Sequence, residues 1–512
     1  MFNSQRSFTC LRCSSRLSRQ PNRRYNVTAP LRVEAISPTN KPKAVLDIKR
    51  IRADPAGHEQ NCIDRNYKAQ AAYPARIVAL YKQWQTYQEE GQAMRVRNNK
   101  LKKRLASLHG THDNGSAKSQ AKSDASIEEM DAEQAAQEAR VLKERLASII
   151  AGESSAMAEI TSLAAAIPNW TSDKTPRGNE PLLVGTINEH PGVDVPGYSQ
   201  QSRSHVEIGS ELDLLDFAGA ATTSGWGWYF LLNEAAQLEQ ALVQYALKVA
   251  REHGWGMVSP PSMVYSHIAS ACGFQPRDQN GESQIYNVQQ SEDDIGRKPE
   301  HSLTGTAEIP LAAMRANTTF PAAKLPIKNV GVSRAYRAEA GARGVDTKGL
   351  YRVHEFTKVE MFGWTAASEE EATAVFDEML SIQNTILKSL GLHCRVLEMP
   401  STDLGASAIR KRDIEAYFPS RQSKDEGYGE VTSTSICSDY QSRRLNSRVR
   451  HRDGRLTYPF TVNGTAMAVP RVLAAILENG WDETRKEVKI PEALWPWMDG
   501  VKVITPKAET KE

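Results

Sequence analysis

The chain has 512 residues, 40% hydrophobic and 24% charged, the composition of a globular protein large enough for two or three domains. No apolar run approaches the roughly 20 residues that span a bilayer, so no membrane insertion is expected. Six scattered cysteines make no disulfide framework, and 64 basic against 61 acidic residues give a net charge of +3, so affinity for a polyanion must come from local patches.

Residues 1–43 form a leader of a different kind. Arg6, Arg12, Arg16, Arg19, Arg23, Arg24 and Arg32 all precede the first acidic residue, Glu34, in a background of serine and threonine. This Arg-rich, Ser-rich, acid-poor composition is that of a mitochondrial transit peptide, which predicts delivery to the mitochondrial matrix and removal of the leader. A disordered basic arm that touches RNA would look the same. These arginines outnumber the net charge, so the remainder is mildly acidic. Cys10 and Cys13 form a CxxC without a second pair, a weak metal signal.

From Ile77 a heptad seam runs through Leu80, Trp84, Tyr87, Gly91, Met94, Asn98, Leu101, Leu105 and Leu108. A second runs from Ala135 through Leu142, Leu146, Ile149, Ala156 and Ile160 to Ile167, interrupted at Glu153. Between them "GTHDNGSAKSQAKSDAS", residues 110–126, is a polar linker. The pattern predicts an antiparallel coiled-coil hairpin with arms of about 50 Å, at 1.5 Å per residue. Near its tip Arg95, Arg97, Lys100, Lys102, Lys103 and Arg104 crowd together. They make either a solvated face balanced by the facing helix's glutamates or a phosphate-binding arm. The arm ends at Pro168, and 171–512 reads as a mixed α+β domain with a long helix over Asn233–Glu252.

Four segments of that domain carry chemistry. "LTGTAEIPLA" places Thr306, Ala307 and Glu308 after a glycine, a weak signal alone. "SRAYRAEAGARGVDTKGLYRVHEFTKVEMFGW", Ser333–Trp364, begins and ends in period-two alternation and predicts a β-hairpin with a long charged loop. Residues two apart on a strand share a face, so Arg337 pairs with Glu339, and Phe356 with Lys358 and Glu360, while Val359 and Met361 point to a helix-covered side. A face with an arginine, carboxylates and a ring is costly as core and reads as a binding floor. "GYGEVTSTSICSDYQSRRLNSRVR" puts Glu430 and a run of hydroxyls on a strand before a basic stretch. In "TVNGTAMAVPRVLAAILENG", Val469, Val472, Leu473, Ile476 and Leu477 make one apolar helical stripe, with Pro470 tolerable in the first turn and Gly480 a plausible stop. Arg471 lies off that stripe, able to face an anion.

Together these segments resemble the signature motifs of class II aminoacyl-tRNA synthetases, specifically seryl-tRNA synthetases. "HGWGMVSPPSMV" looks like motif 1, "RAYRAEAGARGVDTKGLYRVHEFTKVEMF" like motif 2 and "NGTAMAVPRVLAAILEN" like motif 3. "LDIKRIRADP", "SHVEIGSELDLLDF" and "TGTAEIPL" match further family stretches, so the resemblance runs from about Leu46 to the C-terminus. It implies an antiparallel sheet flanked by helices, a motif 1 homodimer, and an N-terminal coiled-coil domain over 44–170 that reaches the long variable arm of serine tRNA. It further implies ATP and magnesium as cofactors and L-serine as substrate.

Residue by residue, the resemblance gives Arg337, Glu360 and Arg471 catalytic roles. Arg337 would hold the α-phosphate and substrate carboxylate, Glu339 the adenine amino group, and Arg471 the γ-phosphate, with Phe356 stacked on the adenine. Ala338, Arg352, Val431 and Thr432 complete the ATP site, and Glu430 and Ser433 lie near the metal. Thr306, Ala307, Glu308, Asn463 and Thr465 join Arg337 and Glu360 around serine. Arg343 and Lys348 in the loop would touch the acceptor stem, and Arg95, Arg97, Lys100 and Lys103 the tRNA body. The family commonly has asparagine where this chain has Ile436, which questions the polar support behind Glu430, and glutamine where it has Glu355. The rival readings are an inactive synthetase paralogue, an amino acid ligase loading a carrier protein, and a pure coiled-coil protein.

Overall fold

The structure, a computed structural model, describes residues 41–108, 125–189, 203–274, 284–339, 349–423 and 425–507. Residues 1–40 of the leader with Cys10 and Cys13, most of the arm-tip linker, and Arg343 and Lys348 lie outside the described residues.

Two short helices open the described chain, Ile48–Ala53 and Pro55–Asp64, capped by Asp47 and Asp54 on the amides of Arg50 and Gly57 at 3.0 and 2.9 Å. Then come α1 (Tyr73–Leu108) and α2 (Ala132–Ala166), of 36 and 35 residues. α2 starts on a capping box in which Asp131 and Gln134 satisfy each other's backbone amides at 2.8 and 3.2 Å. Ile77, Leu80, Gly91 and Leu101 are buried on α1 and Ala135, Ile149, Ala156 and Ile160 on α2, which is the predicted seam. Partners run in opposite directions, Arg76 with Glu159, Tyr87 over Gly152, Arg97 with Glu138, so the hairpin is antiparallel.

The interruption at Glu153 has a physical basis. Gly91 leaves room for its carboxylate, which Arg95 of the facing helix approaches at 3.8 Å. Next to it the Tyr87 ring lies over Gly152, so close that an added Cβ would stand 2.8 Å from Tyr87 Cζ. A mid-helix glycine normally costs about 0.5–1 kcal/mol relative to alanine. Here Gly152→Leu is expected to destabilise the arm by about 1–3 kcal/mol through overpacking, read as a lower thermal midpoint by circular dichroism. An unchanged or higher midpoint would show the seam tolerates a side chain there.

The domain beyond the arm is built on one eight-stranded sheet. Its strands are β1 (Leu182–Ile187), β2 (Gly256–Val258), β3 (Ile327–Tyr336), β4 (Glu355–Thr365), β5 (Cys394–Glu398), β6 (Arg410–Tyr417), β7 (Tyr428–Ser438) and β8 (Phe460–Ala468). They lie in the order β1-β5-β6-β7-β8-β4-β3-β2, antiparallel throughout except for the parallel pair of β2 with β3. Three amphipathic helices, α3 (Asn233–Glu252), α5 (Glu369–Ser389) and α6 (Val469–Gly480), share the main core with the strands; the short α4 (Glu308–Ala313) stands elsewhere. Leu238, Phe376 and Leu473 meet Val359, Met361 and Val462 in that core, while Phe356, Lys358 and Glu360 line the cavities on the other side, as the parity of β4 predicts.

One detail differs from expectation and two add to it. β3 ends at Tyr336: Arg337 still donates its amide to the His354 carbonyl at 2.9 Å, but Ala338 turns to the Gln284 carbonyl at 3.0 Å and Glu339 takes a left-handed φ of 47°. That turn, not strand alternation, aims Glu339 at Arg352. Gly480 is the last residue of α6, and its glycine is required by close approach, since a Cβ there would stand 2.6 Å from the Lys489 carbonyl oxygen. The basic stretch after β7 is structural: Arg444 is buried over the Tyr440 ring and donates to the Ala165 carbonyl at 3.2 Å, tying the arm's base to the sheet.

Candidate active site

The open face of β4, β7 and β8 holds a cleft of two chambers. The larger, about 530 Å³, is lined by Thr306, Glu308, Glu360, Ser435 and Asn463 among others. The smaller, about 50 Å³, takes in Arg352, Phe356, Val431, Thr432, Thr465 and Arg471. Arg337, Glu339, Lys358, Glu430 and Ser433 line both.

Register explains the convergence. Glu360 on β4 lies opposite Thr465 on β8, and the Thr465 hydroxyl donates to Glu360 Oε2 at 3.3 Å. Lys358, two residues earlier on the same face, pairs with that carboxylate at 2.6 Å. Arg337 enters from the end of β3, its Nε 3.4 Å from the Gly305 carbonyl and its guanidinium 5.3 Å from the Phe356 ring centre. Burial and the neighbouring Arg471 lower its pKa, so this cation gains when an anion arrives.

Arg471, in the first turn of α6, is already aimed. It donates to the Tyr351 carbonyl at 3.0 Å and the Glu430 carbonyl at 2.9 Å, pairs with Glu430 Oε2 at 3.1 Å, and lies 4.6 Å from the Tyr351 ring centre. Burial alone would raise the Glu430 pKa, but Arg471, Lys411 and Arg337 hold it down to about 2, so this carboxylate is ionised. The support questioned by Ile436 is thus supplied by other groups, and Ile436 itself packs in the main core.

Glu308 opens α4 at the far end of the larger chamber. Its Oε1 accepts from Gln441 at 2.6 Å and its Oε2 from Asn463 at 3.1 Å, while Gln441 Oε1 accepts from the Thr461 hydroxyl at 2.7 Å. Burial and the neighbouring Glu360 push its pKa up to about 7, against the pull of Lys358, Gln441 and Arg337.

Two of the expected residues do not line the cleft. Ala307 packs among apolar side chains, and Ala338 contributes its backbone amide to Gln284. On the arm, Arg95 and Arg97 reach across to Glu153 and Glu138, and Arg104 to the Met130 carbonyl, whereas Lys102 and Lys103 are exposed. The reading of the sequence missed Lys411, Asp413, Gln441 and Tyr351. For the first two a signal existed, because Lys411 and Asp413 alternate on β6 and place two charges on one face of a central strand.

An antiparallel sheet with an arginine from the β3–β4 hairpin, another from the helix after β8, and a carboxylate from β7 defines a class II aminoacyl-tRNA synthetase core. The tRNA synthetase class II core domain (G, H, P, S and T) matches residues 286–480. The seryl-tRNA synthetase N-terminal domain matches 45–171. The mitochondrial serine-tRNA ligase of Schizosaccharomyces pombe is 36% identical over 89% of this chain and 88% of its own. That of Saccharomyces cerevisiae is 46% identical over 60% of this chain and 66% of its own. The crystal structure of a Pyrococcus horikoshii seryl-tRNA synthetase complexed with ATP superposes with a TM-score of 0.77 at 29% identity, covering 91% of this chain and all of that one. The chain belongs to the seryl-tRNA synthetase family.

Proposed function

We propose that this chain ligates L-serine to serine tRNA in two steps, through a seryl-adenylate held in the cleft. The observation that carries the reading is the placement of Arg337 and Arg471 along one cleft, with Glu308 and Glu360 at its serine end and Thr465 bonded to Glu360 where the chambers meet. In the first step the serine carboxylate attacks the α-phosphorus of ATP and pyrophosphate leaves. Arg337 bridges the two anions and offers a planar fork to the charge that develops. Phe356 stacks on the adenine, Glu339 accepts from its amino group, and Arg471 grips the γ-phosphate. In the second step the terminal adenosine hydroxyl of the tRNA attacks the seryl carbonyl and AMP leaves.

Serine selection follows from buried polar groups. Glu308 faces the ammonium, and Glu360 with Thr465 reads the hydroxyl, so alanine would forfeit the hydroxyl's bonds to them. Because the Glu308 pKa stands at about 7 and the bound ammonium favours its ionised form, serine binding weakens on acidification. Between pH 8 and pH 6 the KM for serine in pyrophosphate exchange is expected to rise, approaching about ten-fold per unit below pH 7, and Glu308→Gln should flatten that slope. A slope that persists in the Gln variant would assign the titration elsewhere.

Magnesium fits the site: Glu430 is ionised beside the Ser433 hydroxyl, and the buried Asp413 Oδ1, across the ladder from Ser433, has no hydrogen-bond partner. Among the described residues no cluster of three or more His, Cys, Asp or Glu side chains stands ready to hold a metal alone, which suits an ion that takes its other ligands from phosphates. When bound, it neutralises phosphate charge.

A homodimer is supported by the apolar edge at the motif 1 segment, where Met257, Met263, Tyr265 and Met314 are exposed. A mitochondrial matrix location is supported by the Arg-rich leader and by the two yeast relatives, both named mitochondrial. The proposed division is a leader over 1–43, the tRNA-binding arm over 44–170 and the catalytic domain over 171–512. No helix among the described residues is long and apolar enough to cross a membrane. Serine-dependent pyrophosphate exchange followed by charging of mitochondrial serine tRNA tests the function. Exchange without charging would point to another acceptor, and folded protein without exchange would point to an inactive paralogue.

A further inference from the structure

A cluster of aromatic rings stands at the base of the β3–β4 hairpin. His354, the residue before β4, has the ring of Trp226 at 5.9 Å, that of Trp228 at 6.0 Å and that of Tyr286 at 6.2 Å. The turn that carries the two tryptophans is fixed. Gly225 and Gly227 have φ of 102° and 82°, the Gly227 carbonyl accepts from the His354 amide at 3.0 Å, and a Cβ on Gly227 would stand 2.5 Å from His354 Cδ2. The glycines thus hold the turn against the hairpin while Trp226 remains 56% exposed. An indole is among the largest apolar groups, and folding gains by burying it, so a rigid turn that presents one to water suits a partner with a flat apolar face.

The cluster adjoins the cleft. His354 Nδ1 lies 3.0 Å from the Arg337 carbonyl, and the Tyr286 hydroxyl is raised in pKa by burial and by Glu339 of the cleft wall. The cleft wall that His354 meets carries the Arg337 guanidinium, with Arg352 paired to Glu339 further along it. An exposed ring at the rim of a cationic cleft is a feature of sites that bind single-stranded nucleic acid, the ring stacking a base.

We propose that Trp226, backed by His354 and Trp228, is a stacking platform for an unpaired base in the acceptor end of the bound tRNA. The inference rests on the two-step reading above, because the terminal hydroxyl must reach the carbonyl held at Arg337, and the hairpin base borders that route. Stacking requires only a π face, so the contact is tolerant of base identity and acts on affinity and placement, not on the choice of serine.

The test compares wild type, Trp226→Ala and Trp226→Phe in exchange and in charging, with binding to serine tRNA that is either intact or trimmed of its unpaired acceptor end. The expected result is unchanged exchange in Trp226→Ala, a fall of about ten-fold in kcat/KM for tRNA in charging, and recovery of most of it in Trp226→Phe. On trimmed tRNA, wild type and Trp226→Ala should bind alike. Equal charging by wild type and Trp226→Ala, or a binding defect that survives trimming, would overturn the platform. Loss of exchange would make Trp226 a support of the hairpin, and a shift from dimer to monomer on gel filtration would make the occupant a second copy. If wild type performs exchange but charges no serine tRNA, the transfer reading itself falls.

Discussion

Arg337→Ala should lower serine-dependent pyrophosphate exchange by about a thousand-fold while leaving the protein folded. Each charge-assisted hydrogen bond to an anion contributes about 1.5–3 kcal/mol. Two bonds that strengthen as charge develops come to about 4 kcal/mol, or some three decades of rate at about 1.4 kcal/mol each. The folded state loses little, since among the described residues the Arg337 side chain has one long bond to the Gly305 carbonyl and a place by the Phe356 ring, and burial with Arg471 lowers its pKa against the pull of Glu339, Glu430 and Glu360. Arg337→Lys keeps the charge but not the fork and should recover only part of the rate. Thermal unfolding and exchange measured on the same preparation decide the matter. Exchange within about ten-fold of wild type would remove Arg337 from the centre of the mechanism.

What the sequence disclosed and what it hid divide along physical lines. Periodicity showed the two arm helices and the floor formed by Phe356, Lys358 and Glu360, because both follow from neighbours a few residues apart on one element. The clamp on Glu308 was hidden, since Gln441 lies 133 residues away in sequence and its carboxamide carries no local signature. The fate of the arm's arginines was equally hidden: whether Arg97 meets solvent or Glu138 depends on the relative register of two helices, which neither seam fixes by itself. Ile436 is a third case. The substitution of an apolar residue looked like a loss at the site, yet on the strand it points into the main core, and Arg471 with Lys411 does the work of orienting and ionising Glu430.

Arg65→Ala should produce the largest loss of stability among substitutions outside the cleft, about 3–4 kcal/mol, together with a several-fold rise in the KM for serine and little change in that for ATP. Arg65 is 0% exposed and donates to the carbonyls of Asn169 at 2.7 Å and Ala408 at 2.8 Å, with a further bond to that of Gly405. Alanine would take one donor from each carbonyl, leaving Asn169 with the Asn61 carboxamide and Gly405 with the Ala408 amide, and would open a cavity, and lysine, with one compact ammonium, could not reach all three. The segment it pins matters chemically, because Gly405, Ala406 and Ala408 line the larger chamber together with Tyr67 from the arm's base. A slackened wall there widens the serine end, whereas the ATP end is lined from β7, β4 and α6 and by none of the three carbonyl-bearing residues that Arg65 binds. Urea unfolding gives the first number and exchange kinetics with either substrate varied give the second. A rise in the ATP KM equal to that for serine would mean that the arm's base supports the whole sheet. Unchanged kinetics in a destabilised protein would reduce Arg65 to a tether between arm and core.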